Sequence, residues 1–157
     1  MKWTLRLALV AMVAAILTAA SAPHAAEPFD LKQYKGKVVI LDFWASWCVP
    51  CRRSFPWLNE MQAKYAAEGL VVIGVNLDND AAEAQLFLDE FPPEFEIVYD
   101  TDKKLAHEYD VIAMPSSYVI ARDGSIHERH LGYKVKLQAD YEAAIISALR
   151  DKENPDE

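Results

Sequence analysis

The two cysteines of this chain, Cys48 and Cys51, are separated by only two residues. An apolar run that is rich in β-branched residues, 38–41, precedes them and predicts a strand. Apolar residues at helical spacing follow them, at Phe55, Leu58, Met61 and Tyr65. The pair therefore lies where a predicted strand turns into a predicted helix, and this arrangement constrains the rest of the chain most strongly.

Cys48 is placed at the first turn of that helix, where unpaired backbone N–H groups and the positive end of the helix dipole favour a thiolate. We therefore predict that Cys48 is the attacking nucleophile and that it is open to other proteins. Cys51 lies one turn further along, close enough to attack a mixed disulfide on Cys48 and release the partner. Pro50 suits a first helical turn, because its fixed φ is helical and its missing N–H is not needed there.

The residues around the cysteines resemble the active-site segment of the thioredoxin superfamily. Residues 42–51 read Asp-Phe-Trp-Ala-Ser-Trp-Cys-Val-Pro-Cys, and Arg-Arg-Ser-Phe-Pro follows. The longer run 36–56 is closest to the exported TlpA/ResA-like branch of that superfamily. This resemblance implies a thioredoxin fold and a redox-active Cys48–Cys51 pair, with no other cofactor.

A single structural disulfide is the alternative interpretation of the two cysteines in an exported chain. The loop that it would close is very short, so it would remove little entropy from the unfolded chain. A chain of 157 residues, 52% of them hydrophobic, can also bury a sizeable core without such a link. We therefore favour a reactive pair.

Strand-like and helix-like patterns alternate along the chain and predict the α/β class. The predicted strands are 38–43, 70–77 and 95–99, the predicted hairpin is 118–121 with 126–131, and the predicted helices are 48–67, 81–91, 102–109 and 137–149. Residues 29–34 are expected to form an edge strand or a turn. Pro56 should kink or break the first helix, Gly69 should cap its end, and residues 78–80 should cap the second helix.

The resemblance turns this pattern into a specific architecture for residues 27–150. It implies a three-layer α/β/α sandwich with a mixed central sheet. Residues 80–99 add a helix and a strand to the compact thioredoxin pattern, and we interpret them as the central insertion of the TlpA-like branch. Residues 151–157 are charged, contain Pro155 and are predicted to be a flexible tail.

The first 26 residues have the pattern of a secretory signal peptide. Lys2 and Arg6 form a positive region, residues 7–20 form an apolar region, and residues 21–26 are rich in small residues. Cleavage after Ala25 or Ala26 is plausible, and an uncleaved membrane anchor is the alternative. The chain is therefore predicted to be periplasmic or otherwise exported. Its formal net charge of -8 and its lack of a basic patch argue against nucleic acid as a partner.

Two further positions gain a role from the resemblance alone. In the superfamily, a cis-proline beside the cysteines lets the preceding residue pair with an extended substrate, and Met114-Pro115 matches that pattern. An acid at the position of Asp42 lies under the second cysteine and helps to move its proton, and burial would raise the pKa of such an acid. The alternatives are an ordinary trans proline and a structural aspartate.

Other residues near the cysteine pair are predicted to form a substrate-binding surface. Trp47, Val49 and Pro50 are assigned to substrate binding, together with Met114 and Pro115. We predict no metal site, because a second cysteine pair is missing and the histidines are poorly placed. In particular, His127 and His130 lie three residues apart on a predicted strand and are expected to point to opposite faces.

The leading hypothesis is an exported thiol–disulfide oxidoreductase that reduces disulfides of other exported proteins. The resemblance implies a membrane thiol donor that re-reduces it, and apocytochrome c and metal-site cysteines are substrate classes of this branch. Strongly oxidising relatives often carry a histidine between the cysteines, and this chain has Val49 and Pro50 there. A dithiol oxidase or isomerase and a copper or zinc carrier remain the alternatives.

Overall fold

The computed structural model describes residues 29–151, so the predicted signal segment and all but the first residue of the predicted tail lie outside the described residues. Five strands form one mixed sheet in the order β3-β2-β1-β4-β5. The strands are β1 (Val38–Trp44), β2 (Leu70–Asn76), β3 (Glu96–Tyr99), β4 (Ser116–Ile120) and β5 (Ile126–Leu131). β1 pairs in parallel with β2 and antiparallel with β4, as a mixed sheet requires.

Four α-helices surround the sheet close to the predicted positions. They are α1 (Val49–Tyr65), α2 (Ala81–Glu90), α3 (Lys104–Glu108) and α4 (Gln138–Arg150). Short 3-10 helices occur at Leu31–Tyr34, Ala66–Glu68 and Val135–Leu137. The first of these replaces the expected edge strand or turn, because the Asp30 carboxylate accepts a hydrogen bond from the backbone N–H of Lys32 and favours a tight coil.

The punctuating residues of the sequence have the expected effects, with the one exception of Asp78. Gly69 adopts a left-handed conformation with φ 100° after the 3-10 turn that follows α1. Asp80 caps α2 through a hydrogen bond from the backbone N–H of Ala82. Pro56 does not break the first helix, since α1 continues through it. Asp78 takes no part in the α2 cap, because its carboxylate accepts hydrogen bonds from Ser46 in the loop before the cysteines.

The central strand β1 is buried along its whole length and separates two apolar cores. Val38, Ile40 and Trp44 join a cluster with α1, α2 and α4, and this cluster contains both cysteines. On the opposite face of β1, Val39, Leu41 and Phe43 join a second cluster with α3 and the first 3-10 helix. The molecule therefore has the predicted three layers, and its cysteines lie on the α1 side of the sheet.

The two histidines of β5 face the same side of the sheet, so the predicted opposite orientation was wrong. β5 carries one extra residue, His127, between two consecutive ladder pairs with β4. Such a bulge resets the alternation of side chains along a strand. His127 Nδ1 lies 3.8 Å from a carboxylate oxygen of Asp151, directly after α4, and the His130 ring lies 4.7 Å from that of Tyr141 in α4.

Gly74 of β2 gives the clearest test of packing in the core on the α1 side. A methyl group at this position would lie 2.9 Å from Ile97 Cδ1, 3.1 Å from the Phe95 ring and 3.2 Å from Trp44 Nε1. We therefore expect Gly74→Ala to lower the free energy of unfolding by about 1–3 kcal/mol through overpacking. Urea unfolding of both oxidised proteins measures this difference, and an unchanged midpoint would show that the neighbours move aside freely.

Candidate redox site

Cys48 and Cys51 form a disulfide at the N-terminus of α1. The S–S distance is 2.03 Å and the two Cα atoms lie 5.3 Å apart. Cys48 is the N-cap residue of α1, and its sulfur accepts a hydrogen bond of 3.3 Å from the backbone N–H of Cys51. The Cys48 sulfur thus occupies the place of a capping oxygen, where the helix end stabilises negative charge. This arrangement favours Cys48 as the sulfur that is released as a thiolate.

The Cys48–Cys51 disulfide is less exposed than a sulfur open to other proteins was expected to be. Cys48 exposes 3% of its surface, and Cys51 exposes none. The flanking side chains stand out instead, since Trp47 is 66% exposed and Val49 is 59% exposed. A partner therefore meets an apolar rim first, and the small exposed fraction makes Cys48 the accessible sulfur of the two.

The loop between β1 and α1 is fixed by Asp78, a residue whose role here sequence reasoning missed. Its carboxylate accepts hydrogen bonds of 2.9 Å from both the backbone N–H and the hydroxyl of Ser46. It also accepts a bond of 2.7 Å from the Asn76 side-chain amide at the end of β2. Because Asp78 is buried, these bonds hold the loop before Cys48 against the neighbouring strand.

Asp42 is fully buried on the same face of β1 as the cysteine cluster. Its neighbours two residues away, Ile40 and Trp44, belong to that cluster, and side chains alternate along a strand. Burial raises the pKa of Asp42 to about 7, in the predicted direction, although the hydroxyl of Ser117 donates a hydrogen bond to its Oδ1 atom. Within residues 29–151, its Oδ2 atom has no hydrogen-bond partner.

Met114 also reaches the cysteine side of the molecule, and Pro115 follows it directly before the start of β4. The peptide bond between them is cis, as the resemblance implies. Pro115 is buried, and its carbonyl oxygen accepts a hydrogen bond of 2.8 Å from the backbone N–H of Gly132. Met114 packs against the cluster that contains both cysteines. Their predicted roles in substrate binding stay predictions.

Neither a metal cluster nor a membrane-spanning helix occurs in the part of the chain that the structure describes. No three His, Cys, Asp or Glu side chains between residues 29 and 151 are close enough to share a metal ion. Across the same range, each helix is too short or too polar to cross a bilayer.

Comparisons with known proteins show which family and which solved structures this chain is similar to. A family model described as Redoxin matches residues 15–145. The thiol-disulfide oxidoreductase ResA of Bacillus thuringiensis (strain Al Hakam) is 32% identical over 111 residues, which are 71% of this chain and 64% of that protein. ResA of Bacillus subtilis (strain 168) is 30% identical over 97 residues, 62% of this chain and 54% of that protein. The chain thus spans less than two thirds of the length of these relatives.

Solved structures show the same architecture. A Chlorobium tepidum structure assigned as a thiol:disulfide interchange protein DsbE is 44% identical, with a TM-score of 0.74, and the match covers 76% of this chain and 84% of that one. StoA from Bacillus subtilis is 26% identical, with a TM-score of 0.61, over 70% of this chain and 83% of that one. Together with the mixed five-stranded sheet, these matches confirm the predicted thioredoxin fold.

The buried Asp42 carboxyl predicts a specific pH dependence of stability. Its pKa is about 7 in the folded protein and 3.8 in a model peptide, so between these values the folded state keeps a proton that the unfolded chain loses. The free energy of unfolding should fall as the pH rises from about 4 to about 7, and then level off, with a change of about 1.4 kcal/mol for each pKa unit.

The Asp42→Asn variant should lack this fall and should be the more stable protein at pH 8, while the two differ little at pH 4. Guanidinium unfolding of both oxidised proteins across this range measures the effect. Parallel pH curves for the two proteins would contradict a raised pKa at Asp42.

Proposed function

Because the chain belongs to the Redoxin family and, as predicted, resembles its ResA-like members, we propose that it is an exported thiol–disulfide oxidoreductase that reduces disulfides of other exported proteins. The observation that carries this proposal is the Cys48 sulfur at the N-cap of α1, which accepts a hydrogen bond from the backbone N–H of Cys51. The predicted signal segment supports export.

The reduced protein passes two electrons to its partner in two exchange steps. The Cys48 thiolate attacks one sulfur of the partner disulfide, the partner S–S bond breaks, and the second partner sulfur leaves as a thiolate that takes a proton from water. Cys51 then loses its proton and attacks the Cys48 sulfur of the mixed disulfide. This forms the Cys48–Cys51 disulfide and releases the first partner sulfur, which is protonated in turn.

Asp42 is the group proposed to accept the proton of Cys51. A general base works best when its pKa is close to the working pH, and the pKa of Asp42 is about 7. The carboxyl lies on the sheet face that carries the cysteine cluster, and its Oδ2 atom makes no hydrogen bond within the described residues. This oxygen is therefore available for a proton.

The direction of electron flow is proposed from the dipeptide between the cysteines. Val49 and Pro50 offer no side chain that could hold a reduced thiolate by charge, which favours a reductant. Since the periplasm is kept oxidising, a membrane thiol donor must re-reduce the protein after each cycle. A measured reduction potential near about -120 mV, the range of strong oxidants, would favour a dithiol oxidase instead.

The surface around Cys48 fits a polypeptide partner. Trp47 and Val49 flank the sulfur, and a groove of about 370 Å³ beside Trp47 is lined by Arg52 of α1 and Leu86 of α2. Exposed tryptophans of this kind are frequent anchors in protein interfaces. We infer that Trp47 contributes to binding a partner protein, whereas it takes no part in the exchange chemistry.

Trapping in the exported compartment tests the roles of the two cysteines. A Cys51→Ala variant should accumulate partner proteins as mixed disulfides on Cys48, because the sulfur that would release them is missing. Adducts are identified on non-reducing gels and by mass spectrometry. Adducts with Cys48→Ala and none with Cys51→Ala would reverse the assignment.

A metal-binding measurement tests the alternative of a carrier. Tight stoichiometric binding of zinc or copper to the reduced protein, without insulin reduction, would favour a metal carrier.

Truncation of Trp47 separates partner binding from chemistry. Trp47→Ala should raise KM for reduction of a protein disulfide by about fivefold or more. Its rate of reaction with a small aromatic disulfide should stay unchanged. The matched control is Ile126→Ala, since Ile126 is 55% exposed but pairs with Ile120 at the far end of the sheet from the cysteines. Equal effects of both variants on KM would show that Trp47 does not contribute to binding the partner protein.

A further inference from the structure

Three polar side chains form a row across the sheet on the face that holds the cysteine cluster. Asp42 of β1 pairs directly with Ser117 of β4, and Ser117 pairs directly with His130 of β5. The same face carries the apolar residues Ile40 and Val119. Burying a row of polar groups on an otherwise apolar face lowers the stability of the folded protein unless each group is hydrogen-bonded, so its presence here suggests a functional role.

The two ends of this row are unsatisfied. Ser117 donates its hydroxyl hydrogen bond to Asp42 Oδ1. Asp42 Oδ2 at one end and His130 Nε2 at the other are buried atoms that lack a hydrogen-bond partner within residues 29–151. Leaving a buried polar atom without a hydrogen bond destabilises the folded protein. An oxygen and a nitrogen that can both exchange protons therefore stand at opposite ends of one hydroxyl group.

A small cavity joins Ser117 to His130. It offers about 10 Å³ of space for the centre of a water molecule and is also lined by Ser54 of α1 and by Tyr133 and Tyr141. This is about the volume that one water requires, and Ser117 and His130 both line it. Unlike the fully buried Asp42, His130 is only half-buried.

We propose that Asp42, Ser117 and His130 form a proton path through which the proton taken from Cys51 leaves the protein. The inference rests on the proposed function, because it concerns the step in which Cys51 closes the disulfide. His130 touches none of the reacting sulfur atoms and acts through Ser117 on Asp42.

The transfer moves one proton and no electrons. Cys51 gives its thiol proton to Asp42 as its sulfur attacks Cys48. The protonated carboxyl then turns to donate to Ser117 Oγ, and the Ser117 hydroxyl, which donated to Asp42, turns its hydrogen toward the water. Asp42 passes its proton to Ser117 Oγ, while the hydroxyl proton of Ser117 moves by way of that water to His130 Nε2. The imidazolium releases the proton on its other nitrogen, Nδ1, to bulk solvent, exchange with water restores the starting tautomer, and Asp42 is ionised again for the next cycle.

The electrostatic surroundings of His130 suit such a transient acceptor. Burial lowers the pKa of His130, so the imidazole is neutral at neutral pH, and Glu128 on the same strand opposes this effect. The titratable groups that face it from other elements are Tyr141 of α4 and Tyr133, which border the same cavity, and Asp42 through Ser117. A neutral imidazole accepts a proton and then releases it readily.

A two-step assay isolates the transfer. Reduced protein is equilibrated at about pH 5, where Asp42 keeps its proton, and is then mixed at about pH 8 with the small aromatic disulfide 5,5′-dithiobis(2-nitrobenzoate). Asp42 must then lose its proton along the path before it can take that of Cys51, and the coloured thiolate is followed by stopped flow. The first equivalent reports attack by Cys48, and the second reports closure by Cys51. His130→Phe keeps an aromatic ring against Tyr141 but removes both nitrogens. It should slow the second release by about tenfold or more and leave the first unchanged.

Further readouts separate a proton path from packing. For His130→Phe the solvent isotope effect on the second step should rise, and added imidazole should restore part of its rate. Ser117→Ala should have the same effect, and the double variant should lose no more than either single variant. His130→Gln keeps a polar group of similar length and should also be slow, so a loss caused only by packing is recognised.

The matched control is His127→Phe, because His127 faces the same side of β5 but lies beside Asp151 and not beside Ser117. It should leave both releases unchanged. Equal second-step rates and pH profiles for His130→Phe and His127→Phe would overturn the path. Failure of the wild-type protein to show two releases would instead contradict the proposed function itself.

Discussion

The burial of β1 is the constraint on which the rest of the structure depends. All seven residues of this strand are buried, because helices cover both of its faces and strands pair with both of its edges. A strand in this position cannot shift its register without exposing apolar residues. It therefore delivers Cys48 to one fixed place, the start of α1, and it places Asp42 beneath the apolar cluster that holds both cysteines.

The buried polar groups of the α1 side differ in how they are stabilised. The carboxylate of Asp78 accepts three hydrogen bonds, which hold the loop before Cys48 and compensate for the burial of its charge. Asp42 accepts one hydrogen bond from Ser117 and keeps one oxygen unpaired within the described residues. Burial raises the pKa of Asp42, and the single hydrogen bond from Ser117 only partly opposes this effect, as is expected where a group must change its protonation state.

The surface complements this interior arrangement. The sulfur of Cys48 lies almost at the surface but below the rim formed by Trp47 and Val49. Chemistry at Cys48 therefore requires a partner that can settle on an apolar rim, and a polypeptide does so more readily than a small hydrophilic thiol. Of the three groups that the proposed exchange uses, Cys48 keeps a small exposed fraction, whereas Cys51 and Asp42 are fully buried.

The sequence by itself determined the elements whose signals are local. The strand before the cysteines, the helix after them, the capping position of Cys48 and the cap at Asp80 follow from side-chain periodicity and from the hydrogen bonds that helix ends lack. The resemblance added the cis peptide at Pro115 and the position of Asp42 on the cysteine side.

Only the tertiary structure decided which distant residues meet. The contact between Ser46 and Asp78 joins residues 32 positions apart, and that between Asp42 and Ser117 joins residues 75 positions apart. His130 faces the cysteine side because it pairs directly with Ser117, and both this pairing and the bulge at His127 depend on how β5 pairs with β4. Periodicity describes one segment at a time, whereas strand register is set by packing between segments, and this is the physical reason why the polar row could not be predicted.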